Sequence, residues 1–312
     1  MEPIKEMLAL FDSGAQFLKR SCFQLQSSFL SQLSDLVFPP VCANCSSELD
    51  ASCSLELSWH ESSGVSEITP GDIRQDSHQS THRKLKLNLC HECHPAIQPK
   101  YHQKCRSCGA GLNLMIQLDT QIPSYWLDRC PFCRRSSFRF GGSYSLGNYE
   151  LELRNSILKI KSGSRDSLIP ELAKLLVAQL DSSFDLVAPI PIHWTRRWGR
   201  KTVVSEVLAR WISRYSGMHI AHNLLRYRRR TSKQGRLSTT RRVQNVKGSL
   251  KVARPKKLVG KKILLVDDVM TSGATLNEAT QVCLQNLAKS VHVAFVARGV
   301  GRSMNRIRPE VR

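Results

Sequence analysis

Asp267 and Asp268 stand side by side and are followed by Met270, Thr271, Ser272, Gly273, Ala274 and Thr275, a run of small and hydroxylated residues. Adjacent acids suit the vicinal hydroxyls of a sugar. Hydroxyls beside the free backbone N–H groups of a helix start, with a glycine that lets the backbone close on its guest, make an anion cradle that fits a phosphate. A second constellation is made of cysteine: Cys42 and Cys45, Cys90 and Cys93, Cys105 and Cys108, and Cys130 and Cys133 form four Cys-x-x-Cys pairs among 11 cysteines. Each pair can offer two thiolates to a tetrahedral zinc, so four pairs can fill two closed, structural Zn2+ sites. Which pairs share a metal is open at this level. His91, His94 and His102 lie nearby and read as surface or supporting groups, because thiolates alone complete both sites.

The elements that must hold the acidic pair are legible in the flanking pattern. Ile263 to Val266 form an uninterrupted apolar run entered from Lys261 and Lys262, which predicts a strand buried on both faces. After the acids, Leu276, Ala279, Cys283 and Leu287 recur at helical spacing. The unit is therefore strand, turn and helix N-terminus, with both acids facing solvent at the strand's end. An ordinary turn would explain Thr271 or Ser272, but not two successive aspartates closing a buried strand. Upstream, Tyr144, Leu146 and Tyr149 predict a strand. Leu153, Ile157, Leu158 and Lys161 predict a helix, as do Leu168, Leu172, Leu175, Leu176 and Leu180. Asp185 to Ile190 predict a second buried strand, followed by a proline-stiffened loop and a helix through Val204, Val207, Leu208, Trp211, Ile212 and Tyr215. Val291 to Ala297 supply a further strand. Strands alternating with helices imply a parallel sheet with its ligand at the carboxyl edge.

The whole arrangement is expected to occupy three regions. Residues 1–38 form a helical extension, 39–140 a zinc-binding module with a disordered insertion at about 46–88, and 141–312 the α/β domain. The insertion, with its SSELDAS, WHESSG and RQDSHQSTH runs, has little periodicity. Module and domain are expected to be separate. The first residues carry Glu2, Glu6 and Asp12 and no continuous apolar core, unlike a signal peptide, and cysteines at metal spacing fit a cytoplasmic setting.

Charge adds a third signal. The formal net charge is +21, from 46 Lys and Arg against 25 acids. Between Trp194 and Lys262 lie 21 of those basic residues and a single acid, Glu206, so one segment holds nearly the whole excess. Arg226, Arg228, Arg229, Arg230, Lys233, Arg236, Arg241 and Arg242 crowd a stretch with few apolar partners and must face water or a polyanion. Single-stranded DNA is the expected ligand, held mainly by its phosphates, with Tyr227, Trp194 and Trp198 as stacking platforms. A solvated basic face is the plainer alternative.

The acidic pair and its Thr/Ser-Gly-x-Thr loop resemble the phosphoribosyltransferase signature. That resemblance implies phosphoribosyl pyrophosphate (PRPP) with Mg2+, its ribose hydroxyls on Asp267 and Asp268 and its 5′-phosphate on Thr271 to Thr275. The order of features is similar to one family in particular, the ComF/GntX-like competence proteins. It shows FPPVCANC, further Cys-x-x-Cys pairs, DLVAPIPIHWTRR, SKQGRLSTTRRVQNVKGSL and LLVDDVMTSGATL in turn. This resemblance implies a type I phosphoribosyltransferase-like parallel sheet behind a double zinc-finger module, a role in natural competence, DNA uptake or use of DNA, and partners in the uptake machinery. Gln234, Leu237, Arg241, Asn245 and Val246 match the family's mobile basic loop. One departure stands out: Arg200, Lys201, Thr202, Val203 and Val204 replace the family's Arg-Gly-Phe-Asn-Gln run, so its amide side chains are missing and PRPP binding is favoured over turnover. Non-catalytic PRPP sensing on DNA and a zinc-based assembly platform are the competing expectations.

Overall fold

The computed structural model describes residues 39–49, 55–60, 82–98, 101, 103–112, 128–134, 136–181, 183–192, 202–229 and 244–300. The expected helix within 1–38, Trp194, Trp198 and most of the basic loop lie outside the described residues.

A five-stranded sheet organises the chain. Its strands are β3 (Ser143–Asn148), β4 (Leu186–Pro189), β5 (His219–Ile220), β8 (Lys262–Met270) and β9 (Ser290–Arg298), in the order β3-β9-β8-β4-β5. Every pairing is parallel. The central strand β8 pairs Leu265 with Val293 and with Ala188 on its two sides, so its backbone groups are satisfied and its side chains meet protein on both faces. Alternation then sorts those side chains. Leu264 and Val266 join one apolar cluster, while Ile263 and Leu265 join the other.

Helices cover the two faces unequally. The Leu264 face carries α2 (Leu151–Ser162), α3 (Leu168–Val177) and α4 (Val204–Ser216). The opposite face carries α5 (Ala274–Gln285) and a short antiparallel hairpin, β6 (Leu225–Tyr227) with β7 (Leu250–Val252). Each predicted strand and helix of this domain is present. Several ends differ in extent, with β3 stopping before Tyr149 and β4 covering Leu186–Pro189. Helix α3 stops before Leu180, α5 stops before Leu287, which is exposed with a positive φ, and β8 continues four residues past Val266 to Met270.

The cysteine-rich region is not a separate body. Cys42, Cys90, Leu87, Leu89 and Ile97 are buried in the same cluster as α2, α3 and α4, and Cys105, Cys108, Cys130 and Cys133 in the cluster with Phe295 and Leu265. Polar contacts reinforce both seams. Asn44 Nδ2 donates to Glu152 at 2.9 Å, and the Asn88 N–H donates to Glu171 at 2.9 Å. Glu171 is also paired with buried Lys174 at 3.0 Å, whose ammonium reaches the Lys86 carbonyl at 2.6 Å. On the other side Lys104 donates to the Ser145 carbonyl at 2.7 Å and to Gln179 at 3.0 Å, and burial pushes its ammonium down to about 8. Each cysteine group thus shares an apolar cluster with one face of the sheet, which the expectation of separate units did not include.

The insertion also departs from expectation at its two ends. Strand β1 (Leu55–His60) pairs antiparallel with β2 (His82–Leu87), Leu57 opposite Leu85. Leu57 and Leu85 pack on the α3 cluster, an alternating pattern too short to outweigh the polar runs between them. The residues from 61 to 81 lie outside the described ones. A five-residue helix, α1 (Cys93–Ile97), closes the first cysteine group.

Candidate functional site

Strand β8 carries the acidic pair to the carboxyl edge of the sheet, where parallel strands leave a crevice for a ligand. Both acids sit within the strand and neither stands free in solvent. Asp267 accepts from the Asp268 N–H at 2.8 Å, and Asp268 accepts from the Val269 N–H at 2.7 Å. Burial pushes the Asp267 carboxyl well above the usual carboxylate range, and the charge of Asp268 adds to the shift. Lys161, at the C-terminal end of α2, places Nζ 2.6 Å from Asp268 and opposes it. The expectation of two solvent-facing acids is therefore corrected: β8 runs on past them, and α2 brings a cation over one.

Beyond Met270 the chain turns through Thr271 and Ser272 to Gly273, whose φ of 73° is left-handed and open to glycine at little cost. Helix α5 begins at Ala274 with Gly273 as its N-cap. No side chain caps it in the usual way. The Ala274 N–H donates to Ser272 Oγ at 3.4 Å, at a helix start of the kind whose N–H groups suit an anion. Arg298 explains how the loop is turned. It is 3% exposed at the end of β9, and its Nη1 donates to the carbonyls of Met270 at 2.9 Å, Gly299 at 2.6 Å and Thr271. Three carbonyls at or beside the loop are thus drawn to one buried guanidinium. Neither Lys161 nor Arg298 was singled out as a site residue from the sequence. Lys161 reads there as one more helix position, and Arg298 as a basic residue after a strand.

On the α2 side, Thr202 Oγ1 donates to Asp166 at 2.7 Å, anchoring the chain where it re-emerges from residues 193–201. Val203 and Val204 are buried. Both positions thus serve the core.

The cysteines resolve into two groups of four: Cys42, Cys45, Cys90 and Cys93, and Cys105, Cys108, Cys130 and Cys133. Within each group all four Sγ atoms lie within 4.8 Å of one another, and none is in a disulfide. The contacts Cys45–Cys90 at 3.7 Å, Cys105–Cys133 at 3.6 Å and Cys108–Cys130 at 3.5 Å are close to the edge of a thiolate tetrahedron, about 3.8 Å for bonds of about 2.3 Å. Both groups could hold a metal ion. Their thiols perturb one another strongly: hydrogen bonds from Cys108, Cys130 and Cys133 pull Cys105 far below the ordinary thiol range, while Cys130 is pushed up, first by Cys105. At the exposed Cys45 a hydrogen bond with Ser47 brings the thiol to about 6.

Of the eight basic residues expected to face a polyanion, Arg226, Arg228 and Arg229 are described, and all three are exposed on or just after β6. Arg229 Nη2 donates to the carbonyls of Asn245 at 3.1 Å and Lys247 at 2.8 Å, so it braces the two ends of the basic loop. Arg230, Lys233, Arg236, Arg241 and Arg242 lie outside the described residues.

A parallel sheet with an acidic pair and a glycine-turned loop at its carboxyl edge defines a phosphoribosyltransferase-type domain, and the phosphoribosyl transferase domain family matches residues 212–309. Two relatives extend the likeness to about two thirds of the chain. It is 26% identical over 222 residues to Competence protein F of Haemophilus influenzae, covering 68% of this chain and 91% of that one. It is 24% identical over 228 residues to the DNA utilization protein YhgH of Salmonella typhi, covering 67% and 96%. Among solved structures, the glutamine PRPP amidotransferase of B. subtilis is 22% identical, with a TM-score of 0.30, over 41% of this chain and 26% of that one. Over about two thirds of its length the chain is therefore similar to proteins named for competence and for DNA utilization, in line with the resemblance carried by the order of its motifs.

Proposed function

We propose that this protein binds PRPP with Mg2+ at the carboxyl edge of its sheet and single-stranded DNA on its basic segment, and acts in DNA uptake or in the use of DNA. The observation that carries the reading is the joining of an acidic pair to an uncapped, glycine-turned helix start by one strand, β8. Asp267 and Asp268 hold the ribose hydroxyls, and carboxylate oxygens suit the hard Mg2+ ion that accompanies PRPP. Thr271, Ser272, Gly273, Ala274 and Thr275 take the 5′-phosphate on backbone N–H and hydroxyl groups, with Met270 buried beneath as their floor. The two cysteine groups hold structural Zn2+, since four thiolates leave no position for water or substrate. Among the described residues no helix is long and apolar enough to cross a membrane.

As an enzyme the protein would transfer a phosphoribosyl group: an acceptor attacks the anomeric carbon as pyrophosphate leaves. Positioning and charge dominate such a step. Asp267 and Asp268 orient the ribose, and an ionised carboxylate there stabilises the cationic sugar. The rival is PRPP binding without turnover, favoured by the burial of Val203 and Val204 where relatives of the motif carry amides. Release of pyrophosphate from PRPP in the presence of nucleobases, ammonia or DNA establishes the enzyme. Saturable PRPP binding without release establishes the sensor, and absence of PRPP binding refutes both.

A further inference from the structure

The segment that leaves the second cysteine group ends against the phosphate loop. Its course is fixed at both ends. Arg134 and Ser136 donate backbone N–H groups to the carbonyls of Cys130 and Cys133 at 2.9 and 2.7 Å, and Gly141 donates to the Val291 carbonyl of β9 at 2.9 Å. Between these anchors Phe138 lies on Gly273. A Cβ at Gly273 would stand 2.6 Å from Phe138 Cε1 and 3.1 Å from Cζ, so the ring fills the space that any other residue there would need. Phe138 is itself stacked on the buried Phe140, with ring centroids 4.8 Å apart and planes at 16°. The next residue completes the grip, because the Arg139 N–H donates to Asn277 Oδ1 in the first turn of α5 at 2.6 Å.

A loop that must offer several N–H groups to one phosphate needs a single backbone geometry before the ligand arrives, since disorder there weakens binding by its entropy. Arg298 holds this loop from beneath through its carbonyls. Phe138 holds it at the glycine, where the left-handed backbone otherwise gives most freedom. We propose that Phe138 is a positioning residue of the phosphate loop, and that the second cysteine group, through the segment from Cys133 to Phe140, makes the geometry of that loop depend on its own integrity. The first cysteine group packs on α2 and α3 and makes no such contact among the described residues. The two groups thus have different jobs: one fastens the amino-terminal region to the domain, and the other sets the site. This inference rests on the PRPP reading for its ligand, though not for the contact.

The test compares the full-length protein with Phe138→Ala, Phe138→Leu and Phe138→Tyr. Metal content, PRPP·Mg affinity and amide hydrogen exchange at Thr271–Thr275 are measured on each. Phe138→Ala is expected to keep the wild-type metal content, to exchange faster throughout the loop and to bind PRPP about tenfold more weakly. Phe138→Tyr keeps the flat ring over Gly273 and is expected to restore both readouts. Phe138→Leu keeps apolar bulk without the flat ring and falls between, which serves if the alanine variant does not fold. Wild-type loop exchange in a folded, metal-replete alanine or leucine variant overturns the proposal. If the wild-type protein binds no PRPP, the PRPP reading falls, and hydrogen exchange alone decides whether Phe138 orders the loop.

Discussion

Lys161 reaches from the last turn of α2 to within 2.6 Å of Asp268, so the acidic pair of β8 holds an internal cation. Removing that cation has a defined consequence for Asp267, whose carboxyl is raised by burial and by Asp268 and is opposed by Lys161. In Lys161→Met the Asp267 carboxyl should rise further. The pH at which PRPP·Mg affinity reaches half its maximum is then expected to move upward, measured by titration across roughly pH 5–9. The fold should barely respond, because a partly exposed pair contributes about 1 kcal/mol or less. Superimposable affinity profiles would refute the coupling.

The raised Asp267 carboxyl also sets the sign of a stability profile. Above the unfolded value the unfolded chain releases this proton while the folded chain keeps it, so stability falls as pH rises toward the folded value. Ligand affinity should run the other way, since the ribose and Mg2+ need the ionised pair. Chemical denaturation of wild type and Asp267→Asn across the same pH range separates the two. The variant is expected to lose this downward contribution.

The double substitution Asp267→Asn and Asp268→Asn should abolish PRPP binding and leave the fold in place. Asparagine keeps an oxygen for the N–H groups of Asp268 and Val269, and it relieves the desolvation of Asp267. The one loss is the Lys161 pair. A thermal midpoint within a few degrees of wild type, alongside absent PRPP binding, is the expected outcome; retained affinity would dismiss the acid pair as the ribose site.

Much of this site was legible because its signals are local. Strand β8, the acids, Gly273 and the start of α5 follow one another in the chain, and buried strands declare themselves by uninterrupted apolar runs. Lys161, Phe138 and Arg298 were not legible, since each acts on the loop or the acids from a distant part of the sequence and none has a distinctive neighbourhood. The same cause hid the pairing of the cysteines. Chelating spacing marks Cys42–Cys45 and Cys90–Cys93 as pairs, but only the pairing of β1 with β2 and the packing of both on α3 bring them together. The shared packing of the cysteine region was hidden for a further reason: periodicity reports that Leu87, Leu89 and Ile97 are apolar, not whose core they complete.

That continuity changes what loss of one thiolate should do. Two metals per chain are expected, and Cys105→Ser should remove one. Cys105 lies in the cluster of Leu265, Val293 and Phe295, so damage there should spread into the sheet and lower the thermal midpoint of the whole domain. Metal analysis with calorimetry checks both points. A variant that loses one metal while the sheet unfolds at the wild-type temperature would show that the region is detachable after all.

The last prediction concerns the basic segment, where the described arginines Arg226, Arg228 and Arg229 have different surroundings. Arg229 bonds the carbonyls of Asn245 and Lys247, whereas Arg226 lies exposed on β6 opposite the equally exposed Lys251. Arg226→Ala with Arg228→Ala should therefore weaken single-stranded DNA binding through charge alone. The observed log K is expected to fall with log salt at about −0.7 per phosphate neutralised, and the double variant to flatten that slope by up to two such units while weakening all sequences alike. PRPP affinity should stay near wild type, because neither residue reaches β8 or its loop. Replacing Arg229 should do more, loosening the base of the loop that carries Arg230, Lys233, Arg236 and Arg241 and weakening DNA beyond the loss of one charge. Fluorescence anisotropy of labelled oligonucleotides over a salt series reads all of this. Binding indifferent to salt, or a double variant with unchanged affinity, would leave the segment as a solvated basic face.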